Sequence, residues 1–105
     1  MKNALTHFVD VNLDTIDSAQ NSASQIFYLF HQYLDQEDFI GADIANALLK
    51  SGYEQSLRNF ESDLKKVPCD IDQYLRIAEV FKSTWDKARM DPVFLSLRQS
   101  FLARE

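Results

Sequence analysis

Hydrophobic residues recur at helical spacing along most of the chain. Between Ile26 and Leu34 the apolar side chains fall within one arc of roughly 160°, at about 100° per residue. Continued toward the N-terminus, the same arc contains the small residues Ala19, Ser22 and Ala23. The pattern predicts a first helix over residues 12–35 with Asn12 or Asp14 as its N-cap. The core-facing stripe of this helix consists of small residues in its N-terminal half and bulky residues in its C-terminal half.

The next apolar stripe predicts a second helix over residues 38–51. Asp38 suits the N-cap, and Gly52 suits the C′ position that ends many helices. Gly41 inside this helix costs about 1 kcal/mol relative to Ala, a cost that a close helix crossing would explain. The core residues predicted here are Ile40, Ile44, Ala47 and Leu48.

A third helix is predicted over residues 53–66, where the period is most regular. Its apolar positions are Tyr53, Leu57, Phe60 and Leu64. Lys65 and Lys66 follow at the end where cations favour the helix dipole. Pro68 then breaks the chain, because proline disfavours helical geometry at the residue before it.

Two more helices are predicted after this break. The first, over 71–89, starts after Asp70, whose spacing to Gln73 is that of a capping box. Its core residues are predicted to be Ile71, Tyr74, Leu75, Ile77, Ala78, Val80, Phe81 and Trp85. The second covers 92–103, with Asp91 as N-cap and Pro92 at the first helical position. It is predicted to bury Phe94, Leu97 and Phe101.

These elements predict an all-α fold, an antiparallel bundle of four main helices plus a short variable N-terminal segment over residues 1–11. A chain of 105 residues fits a single domain, 1–105. The composition agrees, because two glycines and two prolines are too few for the turns of an all-β domain.

The same composition predicts a soluble cytoplasmic protein. The longest apolar run, Ile26–Phe30, is far shorter than the roughly 20 residues of a membrane helix. The first residues lack the apolar core of a secretion signal. Cys69 is the single cysteine, so no internal disulfide forms and a reducing compartment fits.

The net charge of −5 is concentrated in the first third of the chain. Residues 1–38 contain six acids and one base, and no Lys or Arg lies between Lys2 and Lys50. Phosphate binding needs clustered bases, so this region argues against direct nucleic-acid contact. It would suit a basic partner, although an acidic face that only keeps the chain soluble gives the same pattern.

No catalytic machinery is evident in the sequence, so we predict that the protein is not an enzyme. The P-loop, the dinucleotide-binding glycines, the zinc-protease motif and the nucleophile elbow are all absent. A nucleophile would require Cys69 with His7 or His31. Asp70 and Asp72 flank Cys69 and oppose thiolate formation, which favours a structural cysteine.

Metal binding and DNA binding are also weakly supported. His31 and Asp35 are spaced i, i+4, but neither histidine belongs to a Glu-x-x-His pair, and a full ligand set is missing. We therefore predict no metal and no cofactor. Residues 42–60 resemble a helix-turn-helix only vaguely, because Gly52 follows Ala47 by five positions rather than four.

The outer face of the first helix is the candidate site for a protein partner. Tyr28 points away from the core stripe and is ringed by carboxylates and amides, as in an interface anchor with a polar rim. A scattered surface tyrosine is the alternative interpretation. The predicted partner-binding residues are Asp14, Asp17, Tyr28, Gln32, Asp35, Glu37 and Asp38.

These observations predict a non-enzymatic protein-binding module. An inhibitor, an immunity protein or an anti-defence protein would mask a basic partner through the acidic N-terminal helix. The alternative is a structural module that forms a homodimer through the small face made by Ala19, Ser22 and Ala23. A third class, a ligand binder or small enzyme, would be supported by a sizeable cavity lined by His31, Tyr33 and Tyr74.

Overall fold

A computed structural model describes residues 11–63 and 70–104, and these residues form an all-α bundle. The four helices are α1 (Ile16–Asp35), α2 (Phe39–Asp63), α3 (Ile71–Arg89) and α4 (Pro92–Ala103). No β-strand occurs in this part of the chain. The prediction of an all-α helical bundle is confirmed. Of the predicted N-terminal segment over residues 1–11, residues 1–10 lie outside the described residues. The predictions made for Leu64, Lys65, Lys66, Pro68 and Cys69 lie outside them as well.

The three long helices pack side by side, and α4 covers one end. A turn over residues 36–38 joins α1 to α2. Ring contacts between Tyr53 and Trp85, and between Phe60 and Tyr74, make α2 and α3 antiparallel. From α4, Phe94 packs against the rings of Phe30 and Phe39, which closes the end of the bundle near the α1–α2 turn.

The first helix begins four residues later than predicted, and its cap is neither Asn12 nor Asp14. Thr15 is the N-cap, and its hydroxyl accepts from the backbone N–H of Ser18 at 3.0 Å. The Ser18 hydroxyl in turn accepts from the Thr15 N–H at 3.0 Å. Asn12 instead accepts from the N–H of Asp14 in an Asx turn that leads into the helix.

The second and third predicted helices are one continuous helix, α2, so the prediction that Gly52 ends a helix is wrong. Gly52 is buried in the middle of α2, where the ring of Phe81 from α3 lies against its backbone. A glycine that marks a helix end and a glycine that admits a close neighbour look alike in sequence. The absence of a side chain, and not conformational freedom, explains this glycine.

The core stripe of α2 is also different from the predicted one. Ala42, Ala45 and Leu49 are fully buried, whereas Ile40 is 57% exposed and Ala47 lies at the surface. The reason is a close crossing of α1 and α2, where the ring of Tyr33 lies against Gly41. Ala42 and Ala45 therefore form the buried stripe together with Leu49, and Ile44, Leu48, Tyr53 and Leu57 flank it, half-buried.

The capping residues in the sequence predicted the starts of α3 and α4 correctly. Asp70 accepts from the N–H of Gln73, and Asp91 accepts from the N–H groups of Val93 and Phe94, so both predicted N-caps are confirmed. The prediction that Ile71 and Leu75 belong to the core is wrong. They are 48% and 51% exposed because the buried arc of α3 is centred on the side of Ile77, Ala78, Phe81 and Ala88.

Candidate partner-binding surface

The outer face of α1 and the turn that follows it form an exposed surface, as the periodicity predicts. We call it the acidic surface and define it by Asp17, Tyr28, Gln32, Asp35 and Glu37, together with Asp14, which lies two residues before α1 and not on the helix as predicted. All six side chains are exposed. Asp17 and Asp35 lie 18 positions apart, which is about 27 Å along a helix. The surface is therefore long enough to contact a partner over most of the length of α1.

The carboxylates of the acidic surface are uncompensated. Within residues 11–63 and 70–104, the side chains of Asp14, Asp17, Asp35 and Glu37 make no ion pair and no hydrogen bond. On α3, by contrast, Asp72 pairs with Arg76 at 2.8 Å, and Asp86 pairs with both Lys82 and Arg89. Asp72 and Asp86 are therefore paired with bases of their own helix, whereas α1 contains no Lys or Arg.

The C-terminal end of α1 is electrostatically unfavourable. Asp35 occupies the last helical position, at the negative end of the helix dipole, and the last turn contains no basic residue. Glu37 adds a second carboxylate just beyond this end, with φ 54°, a conformation that residues other than glycine rarely adopt. A cation supplied from outside would relieve this concentration of negative charge.

Tyr28 and Gln32 form a fixed polar pair in the middle of the surface. The Gln32 amide donates to the Tyr28 hydroxyl at 2.9 Å, one helical turn away. The Tyr28 side chain is 63% exposed, and its hydroxyl hydrogen stays available to donate to a partner. The pair limits the rotamers of both side chains, which lowers the entropy lost when a partner binds.

Asp38 has a different role from the other predicted site residues. Its carboxylate accepts from the N–H of Gly41 at 2.9 Å, which caps the start of α2. The side chain is half-buried in this bond. Asp38 therefore lies beside the acidic surface but is occupied in holding the α1–α2 turn.

The residues considered for chemistry do not come together in the described structure. His31 is exposed and packs edge-on against Phe27, with 4.5 Å between ring centroids. No group of three or more His, Cys, Asp or Glu side chains in the described ranges is placed to hold a metal ion. His7 and Cys69 lie outside these ranges.

The structure does not support the two alternative sites considered from the sequence, a ligand cavity and a small-residue dimer face, because packing within the bundle occupies their residues. Tyr33 lies against Gly41, while Tyr74 contacts Phe60 near the opposite end of α2. Among the residues that the structure describes, the two tyrosines are therefore too far apart to line one cavity with His31. The small face of α1 consists of Ala19, Ser22 and Ala23. Each of these residues is at most 4% exposed, because the other helices of the chain cover them. A homodimer through that face would require the bundle to open.

The structure adds a groove that sequence reasoning missed. It lies next to Asp35 and Glu37 and is lined on its other side by Pro92, Val93 and Leu97 of α4. Val93 is 53% exposed. The sequence offered one signal, an apolar residue one position before the buried Phe94, but only the docking of α4 against the α1–α2 turn forms the groove.

The fold and the surface define a class, an all-α helical bundle with an uncompensated acidic face. None of the described helices has the length and apolar character needed to span a bilayer. Residues 5–104 match the family described as Domain of unknown function (DUF4385), and the chain belongs to that family. No curated protein and no solved structure matches the chain.

Proposed function

We propose that this protein is a non-enzymatic binding module that masks a basic protein partner through the acidic surface. The observation that carries the proposal is a set of four exposed, unpaired carboxylates in a stretch without Lys or Arg: Asp14 just before α1, Asp17 and Asp35 on α1, and Glu37 in the α1–α2 turn. Such a surface accelerates encounter with a cationic protein and opposes binding of acidic ones.

An inhibitor, immunity protein or anti-defence protein is the functional class that this surface suits best. A cationic partner that acts on nucleic acid exposes Lys and Arg where phosphates bind. The acidic surface would occupy that site by supplying carboxylates in place of phosphates. The role requires no cofactor and no metal, and the nucleic acid is contacted by the partner and not by this chain.

The test is capture of a partner by the immobilised chain from the cells that produce it, with mass spectrometry to identify what binds. The decisive variant is Asp17→Lys combined with Asp35→Lys. The matched control is Glu54→Lys combined with Glu61→Lys, which changes the net charge equally at exposed positions of α2. We expect the first pair to abolish capture of a basic protein and the control pair to retain it.

Salt dependence provides an independent measurement on the purified complex. Exposed charge pairs are screened over a Debye length of about 8 Å at physiological ionic strength. Affinity should therefore fall steadily as salt is added. Equal capture by the two charge-reversed pairs, or an affinity that salt does not change, would contradict the proposal.

A further inference from the structure

We propose that the groove between the end of α1 and the start of α4 takes the apolar side of a basic amphipathic helix of the partner. This inference rests on the proposed function, because it assigns the contact that accompanies the acidic surface. The groove has a volume of about 510 Å³. That is within the size range of ligand-binding clefts, about 300–1,000 Å³.

The lining of the groove combines apolar contact with negative charge. Its apolar part consists of Leu34, Pro92, Val93 and Leu97. Asp35 and Glu37 stand at its edge, and no Lys or Arg lines it in the described structure. An apolar side chain with a Lys or Arg one helical turn away would fill the groove and pair with these carboxylates.

A neighbouring groove on the other side of Glu37 is less suitable for this occupant. It is lined by Ile40, Phe101 and Arg104, among others. Arg104 would repel a cationic segment there, and the carboxylate of Asp38 at its edge is bonded to the N–H of Gly41. Charge complementarity therefore selects the groove beside Asp35.

The groove is continuous with the rest of the acidic surface. Tyr28 precedes Asp35 by seven positions and Gln32 precedes it by three, so the three side chains follow one stripe of α1 toward the groove. The N-terminal N–H groups of α4 beside it are already capped by Asp91, so they do not repel a cation from this end. An amphipathic helix laid along this stripe would contact Tyr28 and insert its apolar side at Val93.

The probe is a synthetic amphipathic peptide of Lys and Leu, about four helical turns long. Two comparison peptides are a scrambled isomer and a peptide with Gln in place of every Leu. Val93→Lys tests the groove. Leu102→Lys is the matched control, since Leu102 lies on the same helix, is exposed to a similar extent at 56%, and does not line this groove. Fluorescence anisotropy gives the affinities, and amide chemical shifts locate the contact.

We expect the amphipathic peptide to bind and to shift the amide resonances of Leu34, Val93 and Leu97. Val93→Lys should weaken binding about ten-fold or more, equivalent to about 1.4 kcal/mol, and Leu102→Lys by less than about three-fold. If the Lys–Gln peptide binds equally well, or both lysine variants have the same effect, the groove is not used. That result overturns the inference while the charge-based function stands.

Two further outcomes also overturn the inference. One is the absence of binding by every peptide while partner capture remains sensitive to the Asp17→Lys and Asp35→Lys pair. The other is a concentration-dependent dimer in sedimentation that Val93→Lys abolishes, which would mean that a second copy of this chain fills the groove. Failure of the proposed function is a separate result, namely capture that is insensitive to reversal of the acidic surface.

Discussion

The ring of Phe81 lies against the backbone of Gly52, so that a Cβ at position 52 would overlap the ring. This contact joins the middle of α2 to α3 and explains why a glycine is tolerated inside a 25-residue helix. Tyr33 and Gly41 repeat the arrangement where α1 crosses α2. The two glycines are therefore positions of helix contact, and each admits an aromatic ring.

Gly52→Ala should destabilise the protein although Ala is the better helix former. The helix propensity gain is about 1 kcal/mol, but the overpacking against Phe81 costs about 1–3 kcal/mol. We expect a net loss of roughly 1 kcal/mol in urea unfolding. Ser51→Ala, at the exposed neighbouring position, should instead be neutral or slightly stabilising. A gain of about 1 kcal/mol from Gly52→Ala would disprove the contact.

Phe30→Ala should cost about 3–5 kcal/mol, the range for large truncations in a core. Phe30 is fully buried, with its ring centroid 5.4 Å from that of Phe94. The matched control is Tyr28→Ala, since Tyr28 lies on the same helix and is 63% exposed. We expect the control to change the free energy of unfolding by less than about 0.5 kcal/mol. A loss below about 1 kcal/mol for Phe30→Ala would show that this face is not core.

Reversing the charges of the acidic surface should leave stability nearly unchanged. Asp17 lies in the first turn of α1, where Lys would lose about 0.3–1 kcal/mol of dipole interaction. Asp35 is in the last turn, where Lys would gain a similar amount. The double variant should therefore unfold at nearly the wild-type urea concentration, with the single variants shifted in opposite directions. A large loss in the double variant would mean that its binding defect reflects unfolding.

The acid dependence of stability should include a contribution from Asp86. Hydrogen bonds from Arg89 and Lys82, and the charges of both bases, hold the pKa of Asp86 below its ordinary value of 3.8. A carboxyl with a lowered pKa in the folded state adds stability above pH 3.8, and this stability is lost as the pH falls through the lowered pKa.

Asp86→Asn should consequently lower the thermal midpoint at pH 7 and have a smaller effect at pH 2–3. The comparison is a pair of melting curves at each pH for the wild type and the variant. Glu79→Gln is the control, because Glu79 is an exposed acid of the same helix without an ion pair in the described residues. An equal effect of Asp86→Asn at both pH values would exclude the charged network as its cause.

Caps and one-sided periodicity made much of the fold and the candidate site predictable. The starts of α3 and α4 follow from Asp70 and from Asp91 with Pro92, because a cap and the N–H groups it satisfies are only two or three residues apart. The outer face of α1 follows from the period of its apolar residues, which is also a local property. For this reason, five of the seven predicted partner-binding residues were assigned to the outer face of the first helix. The structure leaves all five exposed: Asp14, Asp17, Tyr28, Gln32 and Asp35.

Other features depend on parts of the chain that are distant in sequence. Whether Gly52 ends a helix or receives a ring is decided by Phe81, which lies 29 positions later. The groove beside Asp35 exists because α4 packs across the end of α1, which no local pattern encodes. The sequence by itself determined where α2, α3 and α4 begin and which face of α1 meets solvent, since both depend on neighbours within a few residues. Only the tertiary structure decided how the helices approach one another, because that depends on the shapes of side chains from separate helices.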